Sequence, residues 1–130
     1  AMKKLIEDYP FAFRNNPDWT FDTLRCRGGW YTVIERLFGS IEEYLKAQPK
    51  NSKIVKKIKF MQIKEKFGGL RFYYEGGDDF VRGLHTMAEV WAGLSCEECG
   101  KPGKHRSGGW IRTLCDEHEA ERQERLKEHN

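Results

Sequence analysis

At 130 residues the chain has room for one compact domain, or for one domain with a small appendage. A hydrophobic fraction of 38% beside a charged fraction of 33% allows a modest core, and no apolar run approaches the roughly 20 residues of a membrane span. The net charge of +3 is unevenly placed: residues 1–95 carry 16 Lys and Arg against 12 Asp and Glu, and residues 96–130 carry 7 against 8.

The N-terminus shows no signal-peptide pattern, and Ala1 ahead of Met2 reads as an addition before the natural start. A cytoplasmic setting with reduced thiols is therefore expected. Residues 3–13 read as a short helix with Leu5, Ile6, Tyr9 and Phe13 near one face, ended or kinked by Pro10. Asn15-Asn16-Pro17-Asp18 is a turn, and residues 19–29 are ambiguous. Trp30, Val33, Ile34, Leu37, Ile41, Tyr44 and Leu45 then recur at helical spacing. Gly39-Ser40 interrupts that run, which predicts either one helix or two, the second capped by Ser40 with Glu43 at the capping-box position. Pro49-Lys50-Asn51-Ser52 closes the unit.

Residues 54–74 read as a hairpin, because two β-prone runs flank Gly68-Gly69. A two-residue turn there pairs Phe67 with Leu70, Glu65 with Phe72 and Ile63 with Tyr74. One face then holds Ile63, Glu65, Phe67, Leu70, Phe72 and Tyr74; the other holds Gln62, Lys64, Lys66, Arg71, Tyr73 and Glu75. The alternation breaks at Phe60-Met61, the place for a bulge. Glu65, a carboxylate on the apolar side, is expected to meet Arg14, Arg25 or Arg36. After Gly76-Gly77, Asp78 caps a helix whose apolar stripe is Phe80, Leu84, Met87, Ala88, Trp91 and Leu94. It runs without a linker into Cys96, so whatever follows should dock on the body.

Cys96-x2-Cys99 and Cys115-x2-His118 are two ligand pairs with fifteen residues between them. Each short pair supplies two adjacent corners of a tetrahedron, and the loop brings the pairs together, which is the pattern of a zinc site. With all four positions filled by protein, zinc would be a structural staple. His118 is favoured as the fourth ligand by its spacing, with His105 the alternative. Gly100 permits a tight knuckle after the first pair. A hairpin over 101–115 then delivers Cys115 to a highly charged helix, with Asp116, Glu117 and Glu119 at its positive N-terminus and Glu121 spaced to pair with Arg125.

Cys96-Glu97-Glu98-Cys99-Gly100 and Leu114-Cys115-Asp116-Glu117-His118, in the order knuckle, hairpin, helix, resemble a treble-clef finger. Treble clefs serve in ribosomal, DNA-binding, nuclease and adaptor proteins, so the likeness implies zinc and a fold, not a function. The His and Asn set that holds a catalytic metal in nuclease members has no counterpart in 105–118. A second resemblance spans about residues 26–118. Gly29-Trp30-Tyr31, then Lys64-Glu65-Lys66-Phe67-Gly68-Gly69-Leu70-Arg71-Phe72-Tyr73, then Trp110 to Cys115 are similar, in this order, to motifs of small phage and prophage proteins. That likeness implies a phage origin, a host-cytoplasm setting, and work on phage DNA or against host defence.

Lys50, Lys53, Lys56, Lys57, Lys59, Lys64 and Lys66 are opposed only by Glu65 within residues 50–66. The stretch reads as a footprint for phosphate, or as a solvated lysine-rich edge that resists aggregation. Gln62, Lys64, Lys66, Arg71 and Tyr73 form the leading anion-binding constellation, with Lys104, Arg106 and Arg112 of the finger as auxiliaries. In the expected register Lys66 lies opposite Arg71 and Lys64 opposite Tyr73, a cation–cation pairing that an anion would relieve. Trp30 and Trp110 are read chiefly as core anchors. Cys26, between Arg25 and Arg27, is read as a buried thiol, with a lowered pKa as the alternative. Gln62-x-Lys64 resembles the end of a metal-dependent nuclease motif, but no strand is read before residue 54 to carry the acidic partner. No Ser/His/Asp set or phosphate loop is present.

The expectation is an α+β fold: helices on a small antiparallel hairpin or sheet over 1–95, with a treble-clef zinc module over 96–130. The leading function is a non-enzymatic phage accessory protein that binds nucleic acid. The competing classes are a protein inhibitor of a host defence enzyme, with zinc as scaffold, and a pocket that sequesters a small phosphorylated ligand such as a nucleotide.

Overall fold

The structure, a computed structural model, describes residues 2–13, 24–25 and 28–128. The turn expected at 15–18, Arg14, Cys26 and Arg27 lie outside these residues. The class is the expected α+β. Helix α1 (Met2–Asp8) and a 3-10 turn at Pro10–Ala12 lead to strand β1 (Leu24–Arg25). Helices α2 (Tyr31–Lys46) and α3 (Lys53–Lys57) precede the hairpin of β2 (Lys59–Lys66) and β3 (Gly69–Glu75). Helix α4 (Asp79–Ala92), strands β4 (Lys104–Arg106) and β5 (Arg112–Leu114) and helix α5 (Asp116–Glu128) complete the order. The first sheet runs β1-β2-β3, with β1 parallel to β2 and β3 antiparallel to it; the second is β4-β5.

Of the one helix or two expected over 30–45, the structure has one. Gly39-Ser40 does not divide α2, because its buried face of Val33, Ile34, Leu37, Phe38, Ile41 and Leu45 runs straight through. The propensity cost of one helical glycine, about 1 kcal/mol, is small beside that burial. The hairpin begins at Lys59, not at residue 54: Ser52 caps α3 by accepting from the Ile54 N–H at 3.2 Å, and Lys53–Lys57 form a helical turn. A strand also precedes residue 54 after all. The two residues of β1 are too few to show any periodicity, yet Leu24 and Arg25 pair with Ile63 and Lys64.

The core lies between the helices and the inner face of the sheet. Trp30, Phe38, Ile41, Phe60, Ile63 and Leu70 are fully buried there. Phe60 and Phe38 meet edge to face at 4.9 Å between centroids. The register shift falls between Phe60 and Gln62, where the alternation broke, so Phe60 turns inward and Met61 outward.

Helix α4 reverses an expectation. Asp78 caps it as read, accepting from the Val81 N–H at 3.1 Å. Its buried residues, however, are Val81, His85, Ala88 and Ala92, while Phe80, Met87, Trp91 and Leu94 of the expected stripe are exposed. The helix carries apolar residues on two sides. Close packing against α2 and β3 selects the side with small residues, where the buried Trp30 indole N–H reaches the Ala92 and Ser95 carbonyls, both at 3.0 Å. His85 stacks on Tyr74 at 3.8 Å, with its Nδ1 2.9 Å from the Val81 carbonyl and its Nε2 without a partner.

Candidate metal centre and basic sheet face

The knuckle Cys96–Gly100 leaves α4 directly. The Gly100 N–H donates to the Cys96 carbonyl at 2.8 Å, and Gly100 turns the chain at φ 82°. The hairpin β4-β5 then carries Cys115 to the mouth of α5, and His118 lies in the first turn of that helix. The ligand atoms of Cys96, Cys99, Cys115 and His118 all lie within 4.8 Å of one another. His105 lies in β4 and is not part of the cluster.

The spacings fit a tetrahedral ion. Zinc bonds of about 2.3 Å to sulfur and about 2.05 Å to nitrogen imply S–S edges of about 3.8 Å and S–N edges of about 3.6 Å. Cys99 and Cys115 sulfurs are 3.8 Å apart, and His118 Nδ1 lies 3.6 Å from Cys96 Sγ and 3.2 Å from Cys115 Sγ. No disulfide spans 3.8 Å. The His118 backbone N–H, aimed at the sulfur from the helix N-terminus, pulls the Cys115 thiol down to about 7 against the opposing effect of burial. His118 turns Nδ1 to the sulfurs, and its Nε2 lies 4.0 Å from Glu121 Oε2, beyond hydrogen-bond reach. The four side chains form a site able to hold a metal ion.

Among the described residues, backbone and side-chain hydrogen bonds fasten the finger to the body. The Gly29 N–H donates to the Glu97 carbonyl at 2.9 Å, and a Cβ on Gly29 would stand 2.2 Å from the Cys96 carbonyl oxygen. Only glycine fits that approach. The Thr113 hydroxyl, fully buried, donates to the Gly68 carbonyl at the tip of the first hairpin.

That tip sets the register. The two turn residues are Phe67 and Gly68, at φ 53° and 76°, not Gly68 and Gly69. Lys66 therefore pairs with Gly69, Lys64 with Arg71 and Gln62 with Tyr73, two residues away from the expected register. A slide of two leaves each side chain on its expected face but changes its neighbours. Lys66 is no longer opposite Arg71, nor Lys64 opposite Tyr73; Lys64 faces Arg71 instead. Phe67, expected on the apolar face, is 64% exposed. Glu65 accepts the Gly68 N–H at 2.6 Å, stabilising the turn from within. Arg36 is paired instead with Glu35, and the side chains of Arg14 and Arg25 are not among those described.

The outward face presents Gln62, Lys64, Lys66, Arg71 and Tyr73. Lys64 Nζ sits 5.3 Å from the Tyr73 ring centroid, and Lys66 Nζ 5.9 Å from that of Phe67. Among the described residues no carboxylate lies within ion-pair distance of Lys64, Lys66 or Arg71. By register, Arg25 of β1 stands next to Lys64, so Arg25, Lys64 and Arg71 occupy one row across three strands.

The finger cations are placed differently. Arg112 donates to Glu97 at 2.5 Å and also to Glu98, with its side chain only 12% exposed. Burial opposes its charge, but the two carboxylates outweigh burial and hold its pKa above the ordinary value. Arg106 donates to the Leu114 carbonyl and, at 2.7 Å, to Asp116. Arg122, which the sequence reading passed over, is buried and donates to the Gly108 and Trp110 carbonyls. Of the three auxiliaries, only Lys104 is exposed. Trp110, read as an anchor, is 72% exposed, whereas Trp30 is the anchor expected. Glu97 and Thr113 were also missed. Nothing in their local sequence distinguishes a buried support from a surface residue.

Compared with known protein families, curated proteins and solved structures, the chain finds no match in any of the three. No helix among the described residues is long and apolar enough to cross a membrane.

Proposed function

We propose that this is a non-enzymatic, zinc-stapled protein that binds nucleic acid through the outward face of β2-β3. The observation that carries the reading is Lys64 directly opposite Arg71 with no carboxylate among the described residues to neutralise either. Like charges in that position cost stability unless an anion occupies the face. Phosphate is the anion that such spacing suits, with the arginine forking onto oxygens and the lysines adding point charge. The aromatic surface beside them supports a nucleic acid over a free anion. Tyr73 is 39% exposed and Phe67 64%, both under lysine ammonium groups, and both offer a base a stacking face. Phe67 is also held at φ 53°, a conformation costing a bulky residue about 1 kcal/mol, as tends to occur at working surfaces. The likeness to phage and prophage proteins supports phage DNA or its transcripts as the setting.

In this reading the Cys96, Cys99, Cys115 and His118 site holds zinc as a structural ion, since protein fills all four corners. One zinc per chain by elemental analysis is the expected result. A metal-free yet fully folded preparation would reject it.

Binding is tested by fluorescence anisotropy with short single- and double-stranded DNA and RNA across a salt series. Lys64→Glu and Arg71→Glu should each weaken all sequences alike and lower the salt slope by at least about 1. Undiminished binding by both folded variants, or no binding by the native chain to any of these probes, would overturn the reading.

A further inference from the structure

The outer face of α4 takes no part in the metal centre or the basic sheet face, and it meets the body at its start, where Phe80 stacks on Tyr44 at 4.3 Å between centroids. Phe80, Gly83, Met87 and Val90 recur along it at alternating spacings of three and four residues, the interval of a coiled-coil seam, and Leu94 continues the spacing in the turn just past its end. They are not small exposures: Phe80 54%, Met87 65%, Val90 54%, Trp91 40% and Leu94 64%. Together these side chains expose on the order of 500 Å² of mostly apolar surface, more than isolated surface residues account for. Two such faces brought together remove on the order of 1,000 Å² from water, the size at which a specific interface becomes plausible.

Gly83 adds an independent observation. It sits inside α4, where glycine weakens a helix relative to alanine, and nothing lies within 4 Å of where its Cβ would be. The fold of one chain gives no reason for it. A second helix crossing closely does.

We propose that α4 is the interface of a homodimer, packed antiparallel on the α4 of a second copy about a two-fold axis through Met87. That axis makes the seam self-complementary. Positions whose numbers sum to twice 87 come level with each other, so Phe80 meets the partner's Leu94, Met87 meets the partner's Met87, and Trp91 lies over the hollow at the partner's Gly83. The patch is thereby its own complement, with the largest side chain set against the smallest at Trp91 and Gly83, and self-complementarity is what an isologous contact requires. Antiparallel helices also oppose their dipoles favourably. The interface leaves the basic face of β2-β3 free, and the inference stands whether or not that face binds nucleic acid.

The test is sedimentation equilibrium of the nuclease-treated, metal-loaded protein in high salt at tens of micromolar. The native chain should show twice the 15.3 kDa of one chain. Met87→Glu and Met87→Lys should each give the single mass with unchanged circular dichroism and metal content. An equimolar mixture of the two should return to the double mass, because the opposed charges meet on the axis. Gly83→Leu, which fills the hollow while improving helix propensity, should also halve the mass and serves if the Met87 variants misfold. A native chain that stays at the single mass would overturn the proposal and leave this face to some other partner. So would Met87 or Gly83 variants that remain dimeric, or a mixture that fails to reassociate.

Discussion

Two hairpins in this chain each set one cation directly across from another, and they treat the pair in opposite ways. In β4-β5, Arg106 stands opposite Arg112, and Asp116, Glu97 and Glu98 neutralise them while the Leu114 carbonyl accepts further N–H groups of Arg106. In β2-β3, Lys64 stands opposite Arg71, and no carboxylate among the described residues comes near either. The first pair is internal bracing for the metal site. The second is charge left facing solvent. An arginine in a list of basic residues therefore carries no function until its partners are known. Counting Arg106 and Arg112 as ligands for an anion, as their sequence positions invited, would have assigned bracing to binding.

The largest effect should come from the metal. Stripping it with a chelator, or replacing Cys115 by Ser, removes a contribution that in zinc-finger peptides is about 10–16 kcal/mol. Loss of β4, β5 and the start of α5 should follow, along with a shift in Trp30 fluorescence, because Gly29 is bonded to the knuckle and Trp30 to Ser95 just before it. An unchanged melting curve after complete metal removal would mean that the arginine bracing holds the finger alone.

Arg112→Ala comes next. It removes the guanidinium from the buried Glu97 carboxylate, which should cost about 3–5 kcal/mol and show as a lowered melting temperature. Arg112→Lys should recover little, since one ammonium cannot serve both Glu97 and Glu98 in the same geometry.

Acid should act on the body separately from the finger. Burial among Phe60, Phe72 and Tyr74 pushes His85 down from 6.5 to about 4. Between those values the unfolded chain binds a proton that the folded chain refuses. The stabilisation is therefore complete above pH 6.5 and lost as pH falls toward 4, a change of about 3 kcal/mol. Urea unfolding at stepped pH measures it, and His85→Phe should flatten that part of the curve. The same slope in the variant would place the acid sensitivity in the metal ligands instead.

The smallest effect sharpens the comparison most. Lys64→Ala and Arg71→Ala should move stability by less than about 0.5 kcal/mol, or raise it slightly by relieving like-charge opposition. A loss comparable to that of Arg112→Ala would show that the outward pair is structural too.

Legibility in the sequence followed the range of the interaction. The metal ligands were plain because two x2 spacings and a knuckle glycine are local demands of tetrahedral coordination. The membership of the two hairpin faces was equally plain, because strand alternation is a property of consecutive residues. The Asp78 cap and the inward face of α2 fall in the same class. The register was not legible. Gly68-Gly69 is the better turn in isolation, and the chain uses Phe67-Gly68 because the Thr113 hydroxyl and the Ile111–Arg112 backbone close over Gly68 from a segment more than forty residues away. The burial of α4 was misread for a related reason. Side-chain size suggested one stripe, but the depth available against α2 and β3 favoured the smaller one.

Spacing alone thus settled which side chains gather into a site able to hold a metal ion and which residues share a strand face, since neighbours along the chain have few geometric choices. It could not settle which cations are braced, which turn closes the hairpin or which side of α4 stays outside. Those outcomes depend on carbonyls, carboxylates and packing surfaces contributed from far along the chain, and they exist only once the fold has brought them together.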